Sequence, residues 1–111
     1  MRFRKELIGS TTAPLVLAVL SRGESYGYEI ARAVNVDSDG ALEWQEGTLY
    51  PALHKMEKDG LIASAWRDSD AGRPRKYYRL TESGWKALEE YRAEWDRYVW
   101  AVARVMGRSS S

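Results

Sequence analysis

The segment 47–84 constrains the fold most, because a helical pattern there is followed at once by a hairpin pattern. Between residues 48 and 60 the apolar side chains recur at helical spacing, and Gly60 supplies the stop. These apolar residues are Leu49, Leu53 and Met56. Next, residues 61–66 and 75–80 flank a polar, turn-rich connection at 68–74, which is typical of two antiparallel strands. This order predicts a winged helix-turn-helix.

Composition limits the alternatives without deciding the function. A chain of 111 residues with 44% hydrophobic and 30% charged residues fits one small folded domain. The formal net charge of +1 means that any DNA-binding argument must depend on local clusters of charge. The absence of cysteine excludes disulfides and thiolate metal sites. The apolar run at 13–20 is too short to span a bilayer. We therefore expect a cytoplasmic protein without a membrane partner.

The predicted starts of the first three helices are marked by hydroxyl residues. One of the threonines at 11–12 caps the first helix, with Pro14 in its first turn. Residues 1–9 form either a short, mobile arm or a frayed first turn. Because the residues after Pro14 are apolar nearly all round, this helix must be buried. Ser25 is the predicted cap of the second helix, and Thr48 is a plausible cap of the third.

A long final helix follows the hairpin. Thr81 caps it, and it runs to about Val105, which is too long for the domain that it follows. Two sets of residues at seven-residue spacing predict a seam that packs on another helix. The seam residues are Leu88, Tyr91, Trp95, Tyr98, Val102 and Val105. We expect a homodimer.

Together these patterns predict a mainly α fold with a small β-hairpin. Residues 1–80 form the winged helix-turn-helix DNA-binding domain, residues 81–106 form the C-terminal dimerisation helix, and residues 107–111 form a disordered tail.

The third helix is the element expected to enter a major groove. Thr48, Tyr50, His54 and Lys55 lie off its apolar stripe and offer polar groups to bases and phosphates. The alternative is that Tyr50 belongs to the core and Lys55 is merely solvated.

The hairpin supplies cations suited to phosphates. Arg73, Arg75, Lys76 and Arg79 lie within seven residues that contain no carboxylate, although a charge run alone is usually just a soluble surface. Gly72 allows the backbone at the tip to approach a groove closely.

The sequence also predicts where the aromatic side chains of the hairpin and of the flanking segments pack. Tyr77 and Tyr78 alternate faces, so one packs on the core while the other reaches the duplex, and the pattern leaves open which. Trp44 and Trp66 are predicted to fill the core of the winged helix. Trp85 and Trp100 lie off the seam and are expected to pack against the first helix or the domain body.

Four runs of sequence carry a resemblance to a known family. They are Tyr26-Gly27-Tyr28-Glu29-Ile30 and the runs at 47–53, 57–62 and 75–84. Over residues 10–105 the chain resembles the PadR family of transcriptional regulators, in the short subgroup with a single C-terminal helix. The resemblance implies a dimeric winged-helix repressor that binds a pseudo-palindromic operator. The DNA contacts expected are Tyr26, Thr48, Tyr50, His54, Lys55, Arg73, Arg75 and Lys76.

The resemblance extends to members of that subgroup that bind planar multidrug ligands between two tryptophans. Trp95 aligns with that tryptophan, so a twofold axis would bring two indoles together as a clamp, flanked by Tyr91 and Tyr98. The equal alternative is that Trp95 only packs the dimer core. Arg92 and the two tyrosines are bulkier or more charged than a plain apolar pocket favours.

An enzyme is not expected. His54 is the only histidine, and no glycine-rich phosphate-binding loop occurs, so we predict neither a cofactor nor a metal site. The stronger alternative to DNA binding is a winged helix that docks on other proteins through its hairpin and last helix.

Overall fold

The computed structural model describes residues 3–70 and 72–107. Its elements are α1 (Lys5–Leu20), β1 (Ser25–Tyr26), α2 (Gly27–Asp37), α3 (Glu46–Lys58), β2 (Ile62–Asp68), β3 (Pro74–Leu80) and α4 (Glu82–Met106). The strands form one antiparallel sheet in the order β1-β3-β2. The predicted mainly α fold with a hairpin and a long last helix is confirmed. The sequence did not indicate β1.

One core holds the helices and one face of the sheet together. It contains apolar residues from α1, α2, α3, both hairpin strands and the first turns of α4. Its fully buried side chains are Val16, Leu17, Ile30, Leu53, Ile62 and Leu88. The predicted burial is confirmed for the apolar second half of α1 and for the apolar stripe of α3, whereas the first turns of α1 are exposed.

The first helix begins earlier than predicted. Its N-cap is Arg4, so residues 5–9 belong to the helix and not to an arm, and Pro14 lies in the helix interior. The hydroxyls of Thr11 and Thr12 do not cap the helix, because both donate to the carbonyl of Ile8 in the preceding turn. Residues 1 and 2 of the predicted arm lie outside the described residues.

The starts of α2 and α3 were also wrong. Their N-caps are Tyr26 and Gln45, and neither side chain makes a capping hydrogen bond. Ser25 lies in β1, and Thr48 lies inside the first turn of α3. Because α3 starts at Glu46, Pro51 falls beyond the first turn, where its missing N–H removes one helical hydrogen bond.

A compact junction joins the end of α3 to the start of α4. Gly60 adopts a φ of 80° after α3, as its predicted role as a stop requires. The Thr81 hydroxyl donates to the Gly60 carbonyl at 2.6 Å and accepts from the Gly84 N–H at 3.1 Å. The Thr81 N–H donates to the Leu61 carbonyl at 3.2 Å. The predicted cap at Thr81 is confirmed.

Three tryptophans lie elsewhere than predicted. Trp66, Trp85 and Trp100 are 68%, 49% and 62% exposed, so none of them fills the core. Trp66 and Trp100 lie in the parts of β2 and α4 that extend past the core, whereas Trp85 lies on the solvent side of the first turn of α4, next to the buried Gly84. Trp44 packs against the core as expected.

The long helix α4 ends at Gly107, which has a φ of 76°. The rest of the predicted disordered tail, residues 108–111, lies outside the described residues. Within the described part of the chain, no helix combines the length and the apolar character needed to cross a membrane.

Candidate nucleic-acid interface

The solvent face of α3 presents polar groups in a row. Tyr50, His54 and Lys55 are exposed, whereas Thr48 is half-buried. Lys55 also forms an ion pair with Asp59 one turn later, at 3.0 Å, in which both side chains stay largely in solvent. The face is therefore accessible, and its stripe of apolar residues points the other way.

Tyr50 has two roles at once. Its side chain is 46% exposed, yet a Cβ added to Gly27 would lie 2.7 Å from its hydroxyl oxygen. The ring therefore packs directly on the backbone at the start of α2, and a side chain at Gly27 would displace the Tyr50 ring. This contact joins α2 to the exposed face of α3.

The outer face of the sheet carries two tyrosine rings in contact, each covered by one guanidinium group, and we call this set the outer stack. Arg75 lies over the ring of Tyr26 at 4.3 Å, Tyr26 meets Tyr77 edge-on at 5.4 Å, and Arg67 lies over Tyr77 at 4.6 Å. Glu24 forms an ion pair with Arg67. Stacking on aromatic faces leaves the in-plane N–H groups of arginine free to bind other partners.

The inner face of the hairpin is tied to α3. Tyr78 is 6% exposed and belongs to the core, so Tyr77 is the tyrosine on the outer face. Glu57 accepts a hydrogen bond from the Ser64 hydroxyl and forms an ion pair with Lys76 at 3.4 Å. The Ser64 hydrogen bond, assisted by the charge of Lys76, lowers the pKa of Glu57. Burial raises the pKa of Tyr78.

The hairpin cations differ in how far they are neutralised. Within residues 3–70 and 72–107, no carboxylate lies within 4.0 Å of Arg73, Arg75 or Arg79. Lys76, by contrast, has Glu57 as its partner. Three of the four cations in the predicted cluster are thus unpaired within the described structure. At the tip, Gly72 has a φ of 80°, which favours glycine.

Two halves of one stripe on α4 have different surroundings. Leu88 is 2% exposed in the core of its own chain, and Tyr91 is half-buried against that core. One heptad later, Trp95 and Tyr98 are 51% and 63% exposed, and Val105 is 89% exposed. Val102 is half-buried. The stripe of the predicted seam therefore starts in the domain and continues into solvent.

The sequence pattern of the transcriptional regulator PadR-like family matches residues 16–90, which contain the helix-turn-helix, the wing and the start of α4. The chain belongs to this family. It is similar to a transcriptional regulator structure from Clostridium thermocellum, with a TM-score of 0.82, 29% identity and coverage of 92% of this chain and 96% of that one. A PadR family regulator structure from Eggerthella lenta gives a TM-score of 0.78, 34% identity and coverage of 91% and 86%.

One curated relative broadens the comparison. The transcriptional regulator YqjI of Escherichia coli is 34% identical over 80 residues, which are 72% of this chain and 37% of that protein. These similarities show that the chain is a transcriptional regulator of the PadR-like family and that its fold is a winged helix.

One part of the site was not evident in the sequence. Arg75 and Tyr26 were predicted as DNA contacts, but neither β1 nor the outer stack that joins them was predicted. The available signal was the alternation in β3, which puts Arg75, Tyr77 and Arg79 on one face. A partner for Tyr77 was not evident, because a strand of two residues has no alternation of its own.

Proposed function

We propose that this PadR-like chain is a dimeric repressor that binds a pseudo-palindromic operator through α3 and the hairpin. The observation that carries the proposal is the set of three arginines on the hairpin that have no carboxylate partner among the described residues, beside a helix with an exposed polar face. These arginines are Arg73, Arg75 and Arg79. Unpaired guanidinium groups suit phosphates, and the exposed residues of α3 suit base edges. Tyr26, Thr48, Tyr50, His54, Lys55 and Lys76 complete the proposed contacts.

A gel shift with the promoter region of this gene, at several salt concentrations, tests DNA binding. Replacing both Arg73 and Arg75 with Ala should weaken binding to every duplex and flatten the salt dependence, because each phosphate contact contributes a slope of about −0.9 in log K against log salt. Lys86→Ala, which removes an exposed cation from α4, is the matched control and should leave the slope unchanged. Failure of the wild type to bind any duplex would instead favour a protein-docking module.

We propose that residues 1–80 bind the DNA and that residues 81–106 form the dimer contact. Support comes from the stripe on α4, which leaves Trp95, Tyr98 and Val105 in solvent although Leu88 on the same stripe is buried. A second copy would cover these apolar side chains.

Val105→Glu tests this interface, because a partner would then bury an unpaired carboxylate. Val105 is 89% exposed in the single chain, so the substitution should leave the fold of each chain intact. Sedimentation should show monomers, whereas Lys86→Glu should sediment like the wild type. A dimer that survives Val105→Glu would place the interface elsewhere.

We further propose that a planar aromatic ligand relieves repression by binding between the two Trp95 side chains, with Tyr91 and Tyr98 beside them. The half-exposed indole supports this, since it is accessible where a twofold partner would approach. Planar cationic dyes should quench tryptophan fluorescence in the wild type and not in Trp95→Ala. Trp100→Ala is the control, because Trp100 is exposed on α4 away from the stripe. Quenching that survives in Trp95→Ala would leave Trp95 with a packing role only.

A further inference from the structure

Gly27 is a glycine that its own backbone conformation does not require. It is the buried first residue of α2, and its φ lies outside the positive range that favours glycine. Alanine would ordinarily suit a helix better than glycine. The reason for the glycine lies in what a Cβ would meet there. Among the described residues, the three nearest atoms all belong to Tyr50, namely its hydroxyl oxygen at 2.7 Å and two ring carbons at 2.9 Å.

The obstacle to a side chain at Gly27 is one that can move. At Gly84 the nearest atom to an added Cβ belongs to the backbone of Leu61, whereas at Gly27 it belongs to the far end of a side chain. That side chain, Tyr50, is 46% exposed, and its ring borders an open groove between α2 and the start of α3. A methyl group at Gly27 would therefore displace the ring into this space and leave the fold in place.

The contact with Gly27 restricts the orientation of the Tyr50 ring. Long side chains on a helix lean towards its N-terminus, and the Tyr50 ring leaves α3 to pack on the first residue of α2. Ordering a side chain at an interface is unfavourable by an amount that corresponds to about a twofold to tenfold change in affinity. A ring that is already held on the surface of the free protein avoids most of this loss when a partner binds.

Gly27 and its neighbour Tyr26 contact the two proposed DNA-binding elements separately. Tyr26 lies under the guanidinium group of Arg75 on the hairpin, at 4.3 Å. Gly27 contacts the ring of Tyr50 on α3. A methyl group at Gly27 therefore moves a side chain of α3 and leaves the arginines of the hairpin, with their proposed phosphate contacts, in place.

We propose that Gly27 is a positioning residue for sequence recognition, which holds the Tyr50 ring in the orientation that contacts a base edge in the major groove. The proposal rests on the DNA-binding function proposed above, and it assigns the orientation of one base contact to a residue that itself touches no DNA. Since the base edges differ between duplexes and the sugar-phosphate backbone does not, the effect of Gly27 is confined to the operator.

The test measures Kd for Gly27→Ala on the promoter duplex that the wild type binds and on an unrelated duplex of the same length, at several salt concentrations. We expect a roughly tenfold loss on the promoter duplex, the scale of one lost base contact, and unchanged affinity for the unrelated duplex. The salt slope should stay as in the wild type, because no phosphate contact is lost. Gly9→Ala, in α1, is the matched control and should bind both duplexes like the wild type.

Tyr50→Ala supplies a measurement that a purely structural role of Gly27 would not change. Single base-pair substitutions across the promoter duplex should reveal a position whose preference is lost in Tyr50→Ala, and Gly27→Ala should lose the preference at the same position. The double variant Gly27→Ala/Tyr50→Ala should bind like Tyr50→Ala, because the methyl group then has no ring to displace. Circular dichroism and sedimentation should show the fold and the assembly of the wild type in every variant.

Four results would overturn the proposal. They are unchanged promoter affinity in Gly27→Ala, equal losses on both duplexes, losses that add in the double variant, and loss of preference at a different base pair from that of Tyr50→Ala. A Gly27→Ala chain that unfolds, or that sediments differently from the wild type, would also overturn it, because the glycine would then serve the fold or the assembly. Failure of the proposed function looks different, since the wild type would then bind no duplex at any salt, and the proposal for Gly27 would fall with it.

Discussion

Gly84→Ala probes the junction between α3, β2 and α4 most directly. A Cβ on Gly84 would lie 2.1 Å from the Leu61 carbonyl oxygen and 3.2 Å from Cδ2 of Leu80. Carbon and carbonyl oxygen normally approach no closer than about 3.3 Å, so the overlap with the backbone is roughly 1.2 Å. The Leu61 carbonyl also accepts from the Thr81 N–H, so turning it away breaks that hydrogen bond.

Three contributions, two unfavourable and one favourable, determine the change in the free energy of unfolding for Gly84→Ala. Overpacking typically costs about 1–3 kcal/mol, and a lost hydrogen bond costs about 1 kcal/mol. Replacing glycine by alanine inside a helix contributes up to about 1 kcal/mol in the other direction. We expect the free energy of unfolding to fall by about 1–3 kcal/mol, with a Tm lower by roughly 4–8 °C for each kcal/mol.

Urea unfolding followed by circular dichroism measures this change. Gly9→Ala is the matched control, because Gly9 also lies inside a helix and, apart from its own helix backbone and chain neighbours, no described residue has an atom within 4 Å of its Cβ position. That control should be stabilised by about 0.5–1 kcal/mol. If Gly84→Ala unfolds at the same urea concentration as Gly9→Ala, the close packing of the junction is refuted.

Three other predictions concern stability. Thr81→Ala should lower the free energy of unfolding by about 1–2 kcal/mol in urea melts, because the cap and the bond to Gly60 are lost, and Thr81→Ser should recover most of it; equal losses in both variants would contradict this. Because the pKa of Glu57 is lowered in the fold, its ionised carboxylate stabilises the folded chain fully above the ordinary pKa of 4.5. This stabilisation is lost as the pH falls through the lowered pKa. The difference in urea midpoint between wild type and Glu57→Gln should therefore narrow below about pH 4, and a constant difference would rule out this coupling. Trp44→Phe should be neutral or slightly stabilising, because the buried indole N–H has no partner among the described residues; a loss of several kcal/mol would show that the N–H is satisfied.

The sequence predicted the structure well where a local pattern of residues was compatible with only one structure. Thr81 directly follows the last residue of the hairpin pattern and Gly60 follows the last apolar residue of the third-helix pattern, so both boundaries of the junction were predictable. The apolar spacing of α3 likewise admitted one buried face. These features depend on neighbours within about one helical turn.

The errors arose where one residue type serves two purposes. A threonine hydroxyl caps a helix or bonds back to its previous turn, and Thr12 does the second, so α1 begins at Lys5. Trp66 matches a core residue in size and alternation, but its strand runs beyond the core. Only the tertiary arrangement shows how far each element extends past its neighbours.

The sequence indicated which residues belong to the candidate site, but not which partners each of them contacts. Arg75 and Lys76 are adjacent cations in the sequence, yet one stacks on Tyr26 and the other pairs with Glu57. Their different partners come from opposite faces of β3, and from elements more than fifteen residues away in the chain. The family-level contacts assigned to these residues stay predictions.

The hydrogen bonds of Thr81 join the residues that follow α3 to the first turn of α4. With 25 residues, α4 is about 37 Å long, so a tilt of roughly 5° between its two ends corresponds to a displacement of about 3 Å. That displacement is close to the separation of adjacent base pairs, about 3.4 Å. We therefore expect a molecule that tilts α4 about its distal half to shift α3 by about one base-pair step. A small change in the angle at which α4 crosses its partner helix would be enough to align α3 with the major groove or to misalign it.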